Sequence, residues 1–589
     1  MRLSRWRTTN YRSVQSANIN IGEFTALIGK NNSGKSNICE SILHYSRKIG
    51  SRYENVVNDD MIRDQRKEST VVFDATFELN HEEQEIVADY IGERDEINKN
   101  KNELLASGDL SLFRHRAEFS ENMPLTEQHW INIQTQWYPY RFRSRDNVAE
   151  VHTVSSDISG LFNTPRRFYP SDNIDTKQIK HHREFGGVVA EPYRNWLIDY
   201  VESVEQIGAI RNPENELGID VRTNLSPDAN NLPNVLHTLS QNKKKKYESI
   251  ADTYVQVMEG VTDVTSPIEQ APSGSTLTTI EIVEGDNSYG LDEISSGSME
   301  ILSLITKLVL SEDSTSLLVI EEPELHLHPD AEREILGLMK EISQESPQIL
   351  ITTHSDVFVD STDVKQIIRV IRDKSTETKT IDSIDQELED LGYDKSGFLQ
   401  ANAVVFVEGK SDERVIKQLA RNKGLNPAEE GIEFVELDGE GNIKSDGRSL
   451  VKLLFSFDVP YLFIADSHDQ DPDEIRNDYL SHINCRDGEW HTTEDHFFIL
   501  SGYGIEDYLI KMPEAIASTV DAPVEEIEEE IEKGAGRSED ILNRIFKEYF
   551  DTGYNKSEHG FLIAKHASDA PSEISDLIIK IGSLSVNDS

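Results

Sequence analysis

Cysteine is scarce: Cys39 and Cys485 are the only two in 589 residues, too few for a disulfide scaffold or a cysteine-based zinc site. Long apolar runs are also missing. None approaches the ~18–20 residues that span a bilayer, and the longer ones, such as those at 317–320 and 403–407, have the length of buried strands. The opening Met1-Arg-Leu-Ser-Arg-Trp-Arg lacks the apolar core of a signal peptide. The expectation is a soluble, cytoplasmic chain with no membrane partner. Positive charge is short as well, with 59 Lys and Arg against 107 Asp and Glu, a formal net charge of −48. Such a surface repels polyphosphates, so any nucleic-acid site must be locally basic or bridged by divalent cations. Basic islands occur at Arg141-Phe-Arg-Ser-Arg145, Arg166-Arg167 and Lys243 to Lys246, although islands this small are usually solvated faces. Core-forming residues are plentiful, 37% hydrophobic with 8% aromatic, which excludes wholesale disorder. At about 150 residues per domain the length implies roughly two to four domains.

The first chemistry-bearing segment is Gly29-Lys-Asn-Asn32-Ser-Gly34-Lys35-Ser36. It follows a short apolar run at 24–28 and opens a stretch with helical spacing. In that setting the loop amides and helix N-terminus cradle phosphates, Lys35 reaches the β/γ oxygens and Ser36 holds Mg²⁺. Later, Leu317-Leu-Val-Ile-Glu321-Glu322 is an apolar strand ending in two carboxylates. Glu321 suits Mg²⁺ held through water and Glu322 suits polarising an attacking water. Ser295-Ser-Gly297-Ser precedes a helix and offers amides to a phosphate. His354 closes the strand at 348–353, where it can sense a γ-phosphate. Standing alone, each of these three is more often a solvent-reaching strand end, a helix cap or a structural histidine.

Taken together, the order of these segments resembles the ATP-binding-cassette ATPases, in the branch shared by DNA-repair and recombination proteins. The most specific part is Glu321-Glu-Pro-Glu-Leu-His-Leu-His-Pro329, and the opening Thr9-Asn-Tyr-Arg-Ser-Val is also similar. The resemblance covers about residues 1–370. It implies two heads sandwiching ATP, with Ser295 and Gly297 facing the partner's nucleotide, hence a homodimer or larger assembly. The glutamine that usually follows the second strand region has no assigned position.

A second constellation lies downstream. Val404-Val-Phe-Val-Glu408-Gly409-Lys-Ser-Asp412 is an apolar strand ending in an acid and opening a helix, and Pro460-Tyr-Leu-Phe-Ile-Ala-Asp466 is another strand ending in an acid. Carboxylates at the C-terminal ends of parallel strands meet in the crevice where α/β sheets build sites. Their hard oxygens suit Mg²⁺ or Mn²⁺, although acids commonly follow strands for no such reason. The Glu-Gly … Asp order resembles the TOPRIM fold. An ABC-type ATPase followed by TOPRIM is similar to the OLD (overcoming lysogenization defect) family of nucleases, over about residues 1–570. That resemblance implies Glu408, Asp412 and Asp466 as metal ligands. It adds Glu506 from Leu500-Ser-Gly-Tyr-Gly-Ile-Glu506-Asp507, with Asp507 the alternative, and a late catalytic lysine, Lys565. Where related chains carry Asp-x-Asp, this one has Asp466-Ser-His468-Asp469, so His468 or Asp469 takes the second carboxylate's place.

The expected fold is α/β: an ABC-type ATPase head at 1–80 and 201–372, interrupted by a mixed or helical dimerisation insertion at 81–200. A linker at 373–397, a TOPRIM domain at 398–575 and a tail at 576–589 follow. The resemblance implies an ATP-regulated, metal-dependent endonuclease acting on double-stranded DNA, in defence against phage or other foreign DNA, with a helicase or another defence protein as a further partner. The competing reading is an ATP-switched DNA-binding scaffold with an inactive TOPRIM domain. A topoisomerase would need a tyrosine-bearing strand-passage domain that is not identifiable here.

Overall fold

The computed structural model describes residues 1–50, 70–92, 111–120, 123–133, 136–143, 148–151, 195–270, 274–372, 375–379, 395–437, 440–484 and 492–585. The basic pair at 166–167 and Cys485 lie outside these. The chain forms two compact units, Met1–Thr378 and Lys379–Ser589.

The first unit is organised by one mixed sheet. In chain order its strands are β1 (Arg2–Tyr11), β2 (Val14–Asn20), β3 (Phe24–Ile28), β4 (Val71–Glu78), β5 (Leu112–Ser120), β6 (Met123–Ile133), β7 (Gln136–Arg143), β8 (Val148–Val151), β9 (Val204–Ile207), β10 (Leu317–Glu321), β11 (Gln348–Thr352), β12 (Ile367–Arg372) and β13 (Thr376–Lys379). Their spatial order is β8-β7-β6-β5-β4-β1-β2-β13-β12-β3-β11-β10-β9. Every residue of β3 and of β11 is buried, as a parallel strand covered on both faces requires. Parallel pairing sets Glu321 against Thr352 and Thr352 against Leu27, so the ends of three strands open on one edge. Helix α1 (Lys35–Gly50) starts there and packs Ile38, Cys39, Ile42 and Leu43 under β1 and β4.

The segment expected as a mixed or helical insertion differs in kind. Helix His81–Gly92 is present, but β5 to β8 then continue the sheet as antiparallel strands beyond β4. On β5 the alternation is plain: Phe113, His115, Ala117 and Phe119 are buried and the residues between them are not. The polar members of that alternation hid the period. Part of the expected linker is also structured, since Thr376 on β13 pairs with Val14.

The second unit is a parallel four-stranded sheet in the order β15-β14-β16-β17, with β14 (Ala403–Val407), β15 (Ile432–Glu436), β16 (Tyr461–Asp466) and β17 (Phe497–Leu500). Helix α4 (Lys410–Asn422) follows β14 directly; helices α2 (Ser296–Ser311) and α3 (Pro329–Glu345) belong to the first unit. Helix α5 (Lys556–His566) packs against α4. The supposed tail needs correction. Helix α6 (Ser572–Ser585) runs through 576–585, and its Ile574, Leu577, Ile578 and Ile581 are buried in this unit's core. Those apolar positions follow helical spacing, which the surrounding Ser, Asp and Asn masked.

Candidate functional site

At the first site the loop after β3 is shaped by close backbone approach. A Cβ on Gly29 would stand 2.2 Å from the Val370 carbonyl oxygen, and one on Gly34 would stand 2.3 Å from Thr376 Oγ1; both glycines have positive φ. Asn32 is also left-handed, with φ 64°, and its carbonyl accepts from Arg372 at 3.1 Å. The Lys35 ammonium donates to the Gly29 and Lys30 carbonyls at 2.7 and 3.2 Å and lies 2.8 Å from His354 Nε2. Burial pulls the pKa of Lys35 down, opposed by Glu322 and Glu324; burial and then Lys35 pull that of His354 down.

Glu321 accepts from Gln206 Nε2 at 2.8 Å. Burial raises its carboxyl, and the hydrogen bonds from Gln206 and Ser36 hold it back. Glu322 has φ 44°, a left-handed turn at the strand end, and its amide donates to Thr352 O at 2.9 Å. The structure therefore brings Lys35, Ser36, Glu321, Glu322 and His354 together. Three further residues join them. Glu324 accepts from the His354 amide at 2.6 Å. Gln206, on β9, is the donor to Glu321. Arg211, pulled down to about 10 chiefly by burial, donates to the Glu321 and Glu322 carbonyls at 2.9 and 3.2 Å. Only their folding together marks these three; no local pattern does. Ser295 caps α2, accepting from Ser298 N at 3.1 Å, and is exposed. A Cβ on Gly297 would stand 2.7 Å from the His326 carbonyl oxygen. Ser295 and Gly297 share no hydrogen bond with the phosphate loop among the described residues.

At the second site Glu408 and Asp466 stand at the ends of neighbouring parallel strands, and Glu408 Oε1 accepts from the Asp466 amide at 3.1 Å. Gly409 caps α4, which carries Asp412 in its first turn. Glu506 Oε2 and Asp466 Oδ2 both lie within 4 Å of the point where a Gly504 Cβ would stand. Burial and then Glu408 and Glu506 push Asp412 up to about 7. Burial and then Asp412, Glu408 and Glu506 push Asp466 up to about 8. Burial also raises Glu506, and Lys556 holds it back.

The residues fit a divalent cation in donor type and in their mutual repulsion, which Lys556 only partly offsets. They are not closed around one: among the described residues no three His, Cys, Asp or Glu side chains are arranged to hold an ion. Asp469 is exposed with φ 63°, whereas His468 Nε2 lies 3.7 Å from Glu408 Oε2; the histidine, not Asp469, faces the cluster. Asp507 is occupied by the Tyr503 amide at 2.7 Å. Lys565 stands apart from this cluster. It is exposed on the last turn of α5, roughly 13 Å along the helix axis from the first residue at 1.5 Å per residue. That first residue, Lys556, is the ammonium at the cluster, 3.6 Å from Glu506 Oε1 and 3.0 Å from Glu539 Oε2.

Comparison with known proteins matches each of the two units to a family. The AAA ATPase domain family matches residues 1–359, and the overcoming lysogenization defect protein-like TOPRIM domain family matches 399–467. The chain is 23% identical over 478 residues to the Old nuclease of Escherichia phage P2, covering 75% of this chain and 74% of that protein. It is 27% identical over 167 residues to the OLD nuclease of Thermus scotoductus, covering 26% of this chain and 30% of that protein. Among solved structures, an Smc head bound to the C-winged helix domain of ScpA matches with 13% identity and a TM-score of 0.38, covering 65% of this chain and 98% of the other.

Proposed function

The chain belongs to the AAA ATPase domain family, carries behind that domain an OLD-like TOPRIM domain, and from this premise we propose that it is a DNA endonuclease, dependent on a divalent metal and regulated by ATP. The observation that carries the reading is the convergence of Glu408, Asp412, Asp466 and Glu506 at one end of a parallel sheet, with Asp412 and Asp466 pushed up by burial and then by their acidic neighbours. Glu408, Asp412, Asp466 and Glu506 would hold the metal. Mg²⁺ or Mn²⁺ held there would supply the Lewis acidity that phosphodiester hydrolysis needs. His468 orients Glu408, and Lys556 offsets charge beside Glu506.

In the first unit, Lys35 and the loop amides bind the triphosphate, Ser36 and Glu321 bind its Mg²⁺, Glu322 polarises the attacking water and His354 senses the γ-phosphate. Ser295, exposed at the start of α2, faces the nucleotide of a second copy in a homodimer. The named relatives are nucleases, and defence against phage or other foreign DNA is the role that suits such an enzyme. Supercoiled plasmid incubated with the full chain, Mg²⁺ or Mn²⁺, and with or without ATP, tests the reading. Nicked and linear products that vanish in EDTA are expected. Intact plasmid under every metal, salt and nucleotide condition would assign the chain to a DNA-binding scaffold.

A further inference from the structure

One face of the large sheet reverses the charge balance of the chain. Strand alternation turns Arg5 and Arg7 of β1 and Arg114 and Arg116 of β5 away from the core. Pairing through β4 aligns them: Arg7 opposes Asp74 and Asp74 opposes Arg116, while Arg5 opposes Thr76 and Thr76 opposes Arg114. With strands about 4.8 Å apart and residues about 3.4 Å apart, the four arginines form a grid of roughly 10 by 7 Å. The register continues from Arg116 through Gln128 to Arg141, so a third Arg-x-Arg, at 141 and 143, falls on β7. Alternate strands thus carry the same pair. The outward positions of β1, β4 and β5 hold five arginines, Arg2 opposite Glu78 included, against Asp74, Glu78 and Glu118, where the chain overall has 59 bases to 107 acids.

Two acids on this face, Asp74 and Glu118, anchor the two arginines of β5. Asp74 accepts from Arg114 Nε at 2.7 Å and from its Nη2. Glu118 lies 2.8 Å from Arg116 Nη2, and Arg116 Nε has no partner. Arg5 Nε donates to Asn18 at 2.6 Å. A cleft of about 100 Å³ lies between Arg5, Arg7, Asp74, Thr76 and Arg114.

We propose that this face holds the phosphodiester backbone of duplex DNA. Guanidinium forks match phosphate oxygens bidentately, and lysine, the commoner residue of a merely solvated face, is absent from these outward positions. Anchored arginines lose little freedom on binding. The contact is to backbone, so it positions the duplex without reading sequence. The inference rests on the DNA-cleaving reading above and adds where an acidic chain grips a polyanion.

Binding of a fluorescent duplex to the full chain in EDTA, measured by anisotropy over a salt series, tests it. Arg5→Gln/Arg7→Gln is expected to make the slope of log K on log salt shallower by about 1.8 and to weaken binding on the order of tenfold. Arg5→Lys/Arg7→Lys keeps the slope, and Lys243→Gln/Lys245→Gln, on the other basic island, changes nothing. Should the first double variant melt as unfolded, Arg116→Gln alone is read, with a slope change of about 0.9. Wild-type binding with a slope that the glutamine variants leave untouched overturns this proposal and leaves the nuclease reading standing. A wild type that cuts and binds no duplex overturns this proposal alone, and one that neither cuts nor binds overturns both. Lost self-association with unchanged DNA affinity gives the face to a second copy and also overturns it.

Discussion

At the nucleotide site Glu321 takes a hydrogen bond from Gln206 and Glu324 one from the His354 amide, while in the second unit Asp412, Asp466 and Glu506 mostly face one another. The first site sets two cations, Lys35 and Arg211, among its acids. Lys35 lies folded back on its own loop, bonded to two carbonyls and near His354, so ATP has only to exchange those partners for phosphate oxygens. The second site stores repulsion. Carboxylates held together by strand ends and a helix start cannot separate, and protonation or a cation is the relief open to them. One site is thus poised to switch and the other to capture an ion.

The sharpest break of this contrast is Glu408→Ala. Plasmid cutting should fall on the order of a thousandfold, the scale of losing a group that places charge at a transition state. ATP affinity should stay unchanged, since Glu408 lies in the second unit's carboxylate cluster. Retained cutting would move the metal-dependent centre elsewhere. Next in size is Lys35→Ala, which removes the ammonium that the phosphate loop keeps in reserve. Nucleotide affinity, followed by a fluorescent ATP analogue, should fall on the order of a hundredfold. Duplex cutting without nucleotide should persist. Unchanged affinity would show that the loop at 29–36 does not bind the triphosphate.

Both sites were legible where chemistry follows a strand closely in sequence. The loop at 29–36, Glu321 and Glu322, and Glu408 with Asp466 all sit just past short apolar runs, and parallel pairing then gathers those ends without further instruction. Residues that arrive from elsewhere carried no such signal. Gln206 comes from an edge strand 115 positions before Glu321. Lys556 is a lone lysine after the capping Asn555, indistinguishable by sequence from Lys565 nine residues on. The pairs Arg5/Arg7 and Arg114/Arg116 are too short to stand out as runs and become one surface only through β4. Composition misled at the C-terminus, where Ser and Asp around Ile574, Leu577, Ile578 and Ile581 concealed a core helix.

A stability measurement sharpens the comparison further. Asp466 is held up to about 8 by burial and by its acidic neighbours, against about 3.9 in an unfolded chain. The folded state therefore binds more protons than the unfolded state between these values, and stability falls as pH rises through that window. Asp466→Asn removes the group. The metal-free variant should be more stable than wild type at pH 8 by about 1–3 kcal/mol, with the gap closing towards pH 4. Mg²⁺ should stabilise the wild type more than the variant, because only the wild type has this repulsion to relieve. Cutting should be lost in either case. Melting curves of the full chain at several pH values decide it, and a variant less stable than wild type at pH 8 would mean that the cluster is not under strain.

The smallest expected effect concerns the cation already present. Lys556 lies near Glu506 and Glu539 and is about half exposed, so screening limits each ion pair to about 0–1 kcal/mol. It nonetheless gives Glu506 its cationic partner, and a metal bound there competes with it. Lys556→Met should tighten Mg²⁺ binding roughly two- to fivefold, as read by calorimetry. It should slow cutting at saturating metal if the ammonium also offsets charge on the phosphate. Lys565→Met, at an exposed position on the far turn of the same helix, should change neither quantity. The two lysines thus separate cleanly. If Lys565→Met abolishes cutting while Lys556→Met leaves metal affinity unchanged, the functional cation is not the one lying against Glu506, and the second site is only partly assembled in this arrangement of the chain.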